Sequence, residues 1–283
     1  MTEANIVIEN KEGIDFLNTL DDKSVDLILT DPPYIISRES GMNSHYDYVK
    51  KIEHTNINKK TIDDWKDFYR ENKARIEKRI SESSDTLPII KQNYIKYGSM
   101  CGKKYAVKTD YGDWDKKFTM EILEKFIQLF YKKLRKGGTC IIFFDIWKIT
   151  ILKELLEKYK FKQIRFIEWI KTNPLSRNSK VNYLTNCREI ALLGVKGGKP
   201  TFNSKRDWGI YRFPIQGGKI RCHPTQKNLK LFEALIEKHS NKNDLVIDPF
   251  LGGGTTAIAC KNTDRKFKGC EINKEYFDKI KNI

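Results

Sequence analysis

The sequence predicts an α/β fold interrupted by an insertion, and three observations carry that reading. Short β-branched runs alternate with amphipathic helical patterns through residues 1–37 and 113–283. Near the C-terminus a strand, a glycine loop, a helix and a second strand follow one another, a right-handed βαβ unit by the crossover rule. Residues 38–112 have a different texture: polar, rich in lysine and asparagine, and dotted with Tyr46, Tyr48, Tyr94, Tyr97 and Tyr105.

Val25 to Thr30 is an apolar strand that runs into Asp31-Pro32-Pro33-Tyr34. Within the insertion a capping box, Thr61-x-x-Asp64, opens a helix expected to bury Ile62, Trp65, Tyr69, Ile76 and Ile80. The remainder of 38–112 reads as loop. So long a loop is unusual inside a compact domain, which points to an inserted functional element. Thr119 to Arg135 carries apolar residues at 122, 123, 126, 127, 130 and 134, one helix face, and is expected to stop at Gly137-Gly138. Thr139 to Phe144 reads as a buried strand, Ile149 to Tyr159 as a helix, and Ile164–Trp169 and Glu189–Val195 as strands. Leu229 to Lys238 is a helix, Leu245–Ile247 a strand, Thr255 to Lys261 a helix, Phe267–Cys270 a strand and Lys274–Ile280 a last helix.

A chain of 283 residues allows one large domain, or one domain with a second inserted in it. No apolar run approaches the roughly 20 residues that span a membrane, and the N-terminus lacks a signal-peptide pattern. A cytoplasmic protein is therefore expected. Its six cysteines, at 101, 140, 187, 222, 260 and 270, form no Cys-x-x-Cys pair and are expected to be reduced, with no metal site. The net charge of +16 attracts a polyanion. Abundant lysine beside asparagine and isoleucine is also what an AT-rich genome encodes, so charge alone leaves nucleic-acid binding open.

The C-terminal unit reads Asp248-Pro249-Phe250-Leu251-Gly252-Gly253-Gly254-Thr255-Thr256. Glycines at a strand end let the backbone turn sharply and approach a ligand. Glu271 ends the next strand, about 20 residues on, where a carboxylate can accept from ribose hydroxyls. That geometry suits an adenosine-containing cofactor. Gly252-x-Gly254-x-x-Ala257 formally satisfies the dinucleotide fingerprint. Asp248 at the loop entrance would repel a pyrophosphate and attract the ammonium and sulfonium of S-adenosylmethionine. A purely structural turn is the third alternative.

Asp31-Pro32-Pro33-Tyr34 is a stiff tetrapeptide, because each proline pushes the residue before it towards extended backbone. It sets a carboxylate, the Pro32 carbonyl and an aromatic ring in fixed relation. An exocyclic amino group on a base has its lone pair drawn into the ring. Two acceptors for its protons favour a pyramidal nitrogen, and Tyr34 can stack on the base for about 1–3 kcal/mol. Taken alone, the motif also reads as a good turn.

Together these motifs make the sequence resemble the amino-methyltransferases of restriction–modification systems, in the permuted group whose catalytic motif precedes the cofactor motif. Asp31-Pro32-Pro33-Tyr34, His223-Pro224-Thr225-Gln226-Lys227 and Asp248-Pro249-Phe250-x-Gly252-x-Gly254-Thr255-Thr256 carry the resemblance. Trp169-x-Lys171-Thr172-Asn173-Pro174 and Asp113-Trp114-Asp115 also look like family signatures. The likeness covers residues 6–37 and 113–283. It implies a doubly wound, mostly parallel, Rossmann-like sheet in which the strand near Ile6–Ile8 completes the cofactor half. The strand ending at Asp31 should lie beside the one ending at Asp248.

The resemblance implies S-adenosyl-L-methionine as cofactor. Thr225 and Lys227 would hold its methionine carboxylate, Phe250 and the glycines would cradle the adenosyl group, Glu271 would take the ribose and Glu12 would read the adenine. Asn228 replaces the family's usual proline and should act as a helix N-cap. Asp31 at the first motif position favours adenine in DNA, flipped out of the helix. Cytosine at its exocyclic amine is the alternative, and a DNA-binding subunit without catalysis a further one. The partners implied are DNA, a restriction endonuclease acting on the same site, and a second copy in a homodimer. The insertion 38–112 is the candidate target-recognition element, or else a lid or dimer surface.

Overall fold

The computed structural model describes residues 5–34, 60–82, 85–100, 118–174, 186–217 and 226–283. The chain divides into two compact units, Met1–Ile35 with Tyr111–Ile283, and Ile36–Asp110. Eight strands belong to the larger unit: β1 (Ile6–Glu9), β2 (Val25–Thr30), β3 (Leu134–Phe144), β4 (Lys162–Lys171), β5 (Arg188–Val195), β6 (Ile210–Phe213), β7 (Leu245–Asp248) and β8 (Lys266–Cys270). The helices in chain order are α1 (Gly13–Asn18), α2 (Ile62–Glu82), α3 (Leu87–Tyr97), α4 (Met120–Lys133), α5 (Ile149–Lys158), α6 (Leu229–His239), α7 (Thr255–Asn262) and α8 (Lys274–Ile280).

The strands form one sheet in the order β1-β8-β7-β2-β3-β5-β4-β6. Pairing is parallel except along β5, which runs antiparallel to both neighbours. β2 shows why the strands read as continuous apolar runs: Ile28 enters one core and Leu27 and Leu29 the other, so both faces are buried. Phe16, Phe126, Phe130 and Leu152 from α1, α4 and α5 cover one face. Leu231, Phe232, Ala257 and Ile280 from α6, α7 and α8 cover the other. The sheet is therefore doubly wound. β2 lies beside β7, with Leu27 opposite Val246 and Ile28 opposite Ile247, so the motifs at their ends meet where the winding reverses.

The antiparallel strand shapes the site. Because β5 runs backwards, its first residues lie at the edge where its neighbours end. Phe144 pairs with Ile190, and Ile170 with Arg188, which brings Glu189 to the same rim as Asp31 and Lys171.

Two details depart from the sequence pattern in this unit. α4 stops at Lys133, where the Leu134 N–H caps the Phe130 carbonyl, and β3 starts at once. Gly137-Gly138 lies inside that strand, where the register to β2 jumps from Val25–Leu134 to Leu27–Thr139. Gly137 has φ +79°, and a Cβ there would collide with the Lys199 carbonyl, so the glycine serves a bulge and not a helix end. The short edge strand β6 was not marked by any periodicity.

In the smaller unit the capping box closes α2: Thr61 Oγ1 accepts from the Asp64 N–H at 3.1 Å and the Asp64 carboxylate accepts from the Thr61 N–H at 2.8 Å. Trp65 and Ile76 are buried with Ile90 and Met100, and Tyr69 packs against them. Ile62 and Ile80, expected in that core, are instead 58% and 36% exposed. Asn72 leaves helical geometry and kinks α2, so one stripe cannot stay on one side throughout. The segment expected to be loop contains α3, with Pro88 in its first turn and Gly98 at φ 63° closing it. No helix among the described residues is long and apolar enough to cross a membrane.

Candidate active site at the carboxyl edge of the sheet

Pro32 and Pro33 are buried, which fixes the direction in which Asp31 and Tyr34 leave β2. The Tyr34 ring meets Phe144 edge-on, centroids 6.0 Å apart. One oxygen of Asp31, Oδ2, lies 2.6 Å from Lys227 Nζ. The other, Oδ1, is buried and accepts no hydrogen bond among the described residues. Burial raises the Asp31 carboxyl above its ordinary value; the Lys227 ammonium works against that rise and the Glu189 carboxylate adds to it. Burial, then the charge of Asp31, holds the Tyr34 phenol well above its usual range.

Lys227 is 6% exposed and its ammonium also lies 2.8 Å from Glu189 Oε2, while Lys171 Nζ lies 2.6 Å from Glu189 Oε1. Burial opposes the charge on Lys227, but the two carboxylates outweigh it and hold the ammonium well above its ordinary value. Burial likewise opposes the charge on Glu189, and Lys227 and Lys171 outweigh it to bring that group down to about 2. Two carboxylates and two ammonium groups thus form a charge-balanced chain in a water-poor place. The Lys227 main chain is anchored beside it. Asn228 caps α6 through the Leu231 N–H at 3.1 Å, and Thr255 Oγ1 reaches the Lys227 carbonyl at 3.5 Å.

Asp248 lies beneath the glycine loop, 2% exposed. Its Oδ1 accepts from Thr30 Oγ1 at 2.6 Å and the Phe250 N–H at 3.0 Å, and its Oδ2 from Thr256 Oγ1 at 2.6 Å. Burial raises it to about 6 even so. Its oxygens face the protein, so this carboxylate holds the loop in shape from within. Gly252 (φ +53°) turns the loop, and its N–H donates to Glu271 Oε2 at 2.8 Å. Glu271 Oε1 accepts from the Asn273 N–H at 2.7 Å. The Phe250 ring rests on Phe126 at 4.6 Å and stays half-buried. Gly254 (φ +77°) leaves room for Ile280 and Ile283, so its smallness serves the packing of the C-terminal helix.

Glu12 caps α1, accepting from the N–H groups of Ile14 at 2.7 Å and Asp15 at 3.1 Å. Its segment borders the loop, since Asn10 Nδ2 donates to the Glu271 carbonyl at 2.7 Å. Thr225, His223 and the Asp113-Trp114-Asp115 signature lie outside the described residues. Thr30 and Glu189 carried no sequence signal. Lys171 stood in a quoted signature without a role.

These residues fit a cationic adenosyl cofactor. Each oxygen of Glu271 accepts one N–H and keeps a lone pair for a ribose hydroxyl, and the Phe250 ring offers a flat apolar face. The dinucleotide alternative fares worse: the carboxylates of Asp248 and Glu271 hold the loop, Asp31 adds its charge beside Asp248, and the ammonium nearest Asp31 is already shared by two carboxylates.

A model of the DNA methylase family matches residues 25–282. The chain is 29% identical over 227 residues to the type II methyltransferase M2.LlaDCHI of Lactococcus lactis subsp. cremoris, covering 71% of this chain and 82% of that protein. The crystal structure of an M1.HpyAVI–SAM complex superposes with a TM-score of 0.58 at 25% identity, over 98% of both chains. The cytosine-N4-specific PvuII DNA methyltransferase shares the fold, with a TM-score of 0.61 at 16% identity over 97% of this chain and 84% of that one. The chain belongs to the N6/N4 DNA methylase family, as an S-adenosylmethionine-dependent DNA amino-methyltransferase.

Proposed function

We propose that the base is adenine and that methylation falls on its exocyclic amino nitrogen at one short DNA sequence. The observation that carries the amino nitrogen as target is the buried Oδ1 of Asp31, an acceptor without a hydrogen bond among the described residues. Aspartate at the first motif position is what favours adenine. Oδ1 and the Pro32 carbonyl accept the two amino protons and draw the nitrogen towards a pyramidal form. Tyr34 stacks on the flipped base and fixes its plane. S-adenosylmethionine, when bound, supplies an electrophilic methyl on a sulfonium that leaves as a neutral thioether. The proton released from nitrogen passes to Asp31 Oδ1, whose raised affinity for protons suits that task. No strong base is required, and alignment supplies most of the acceleration.

Phe250, Gly252 and Glu271 hold the adenosyl end in this reading, while Thr225 takes the methionine carboxylate without the expected help of Lys227, whose ammonium is engaged by Asp31 and Glu189 at 2.6 and 2.8 Å. Asp248, Thr256 and Gly254 keep the loop in shape. Residues 38–112 are the element that recognises the target sequence. A restriction endonuclease acting on the same site is the expected companion in the bacterial cytoplasm.

The test is to express the chain in a bacterium free of DNA methylation and to sequence its genome with a method that reports modified bases. Methyladenine in one short motif supports the reading, and methylcytosine moves the target to the cytosine amine. An unmodified genome overturns it.

A further inference from the structure

The carboxylate of Asp31 is useful only if it points its free oxygen at the reacting amino group. A carboxylate on a strand end can spin about its own bond, so something must hold the other oxygen. Lys227 does so at 2.6 Å, but a lysine is itself a long, flexible holder. Its ammonium is steadied from the far side by Glu189 at 2.8 Å, and Glu189 by Lys171 at 2.6 Å. The side chains of Lys171 and Glu189 are 19% and 21% exposed, and Lys227's 7%. Each link comes from a different element: Asp31 follows β2, Glu189 begins β5, Lys171 ends β4, and Lys227 precedes α6.

Resting on the reading of Asp31 as the amino-group acceptor, we infer that Glu189, backed by Lys171, is a positioning residue that acts through Lys227 to hold Asp31 with Oδ1 free for the substrate. The geometry argues for a directed chain and not a diffuse cluster. Each oxygen of Glu189 has an ammonium beside it, Oε1 that of Lys171 at 2.6 Å and Oε2 that of Lys227 at 2.8 Å, whereas Asp31 has an ammonium beside Oδ2 alone. The asymmetry falls on the residue that must meet the substrate.

The charged and titratable groups around Asp31 are Lys227, Glu189 and Tyr34, with Lys171 behind Glu189 and Asp248 on the neighbouring strand. Glu189 competes with Asp31 for the charge of Lys227. Removing the Glu189 charge leaves Lys227 to Asp31 alone, so Asp31 ionises at lower pH. The acid limb of kcat, where activity rises as Asp31 ionises, should then move to lower pH while kcat falls because Lys227 has lost its anchor.

The experiment compares Glu189→Gln, Glu189→Asp and Lys171→Met with the wild-type chain in steady-state methylation of DNA across pH. For Glu189→Gln, kcat should drop about 10- to 100-fold, the cost of misplacing a reacting group by a fraction of an ångström to about 1 Å. KM for DNA and for S-adenosylmethionine should stay within about 2-fold, since neither partner contacts Glu189 in this scheme. Glu189→Asp keeps the charge but shortens the reach, so kcat should fall with the acid limb unmoved. Lys171→Met should lower kcat with both KM values held, and it reads the same chain if Glu189→Gln fails to fold. Unchanged kcat in the folded variants overturns the inference. So does a rise in KM for S-adenosylmethionine with kcat retained, which would assign the pair to the cofactor carboxylate. An acid limb that stays put in Glu189→Gln also overturns it. Asp31→Asn, run alongside, separates the two levels: turnover retained there sinks the reading of Asp31 itself, whereas turnover lost there beside wild-type Glu189 variants sinks only the positioning role.

Discussion

Thr30 Oγ1 donates to Asp248 Oδ1 at 2.6 Å, a buried hydrogen bond that ties the strand carrying the acceptor motif to the strand carrying the cofactor loop across 218 residues of sequence. Thr30→Val keeps the shape and removes the donor. The Asp248 carboxylate is then left short of one partner in a buried place, which costs about 1–3 kcal/mol. A lower urea midpoint with an unchanged slope is expected, together with weaker S-adenosylmethionine binding by calorimetry. A variant as stable as the wild type would mean that the bond contributes nothing.

Asp31→Ala removes the acceptor without touching the glycine loop or Glu271. Methyl transfer should fall by about 10³-fold or more, as for other groups that act on the reacting atoms themselves. The dissociation constant for S-adenosylmethionine should stay within about 3-fold, since binding and chemistry are served by different residues. Near-normal turnover in single-turnover assays would place the chemistry elsewhere.

Lys227→Met leaves the carboxylates of Asp31 and Glu189 buried without the ammonium they share. Breaking such a pair from one side costs about 3–5 kcal/mol. Adding Glu189→Gln should return part of that loss, because Glu189, still held by Lys171, no longer repels the unpaired Asp31 carboxylate. Chemical denaturation of the single and double variants checks both steps, and additive losses would argue against a shared pair.

His239 is 7% exposed, and burial, aided by Lys238, lowers its imidazole from 6.5 to about 4. Across that window the unfolded chain holds the extra proton, so the folded state loses stability as pH falls. The difference corresponds to about 3 kcal/mol. Asp248 has the opposite sign: burial raises it to about 6, the folded state holds the extra proton between about 4 and 6, and its contribution declines as pH rises. His239→Gln should therefore abolish the acid-side loss and expose the reverse slope of Asp248 in Tm against pH. An acid limb identical to that of the wild type would acquit His239.

Much of the framework was legible because its signals are local. β2, α4, α5 and the β7–α7–β8 unit each announce themselves by apolar spacing, and Asn228 by its cap. α3 escaped because it is short and lies in a lysine- and asparagine-rich stretch, and of its apolar residues only Ile90 is buried, so its spacing marks no clear face. β6 is only four residues long, too short for alternation to speak. In the site, Asp31 and the glycine loop sit in stiff motifs, whereas Glu189 is defined by ammonium groups from other elements. Nothing near Glu189 in the sequence records that.

β4 leaves the sheet and β5 re-enters it on the same rim as Asp31, because β5 alone runs backwards. The end of β4 at Lys171 and the start of β5 at Arg188 are consequently both held at that rim by strand pairing. For protein engineering they are a pair of fixed anchor points, between which a connecting segment of another length can be spliced with the strand pairings as the readout of an intact framework.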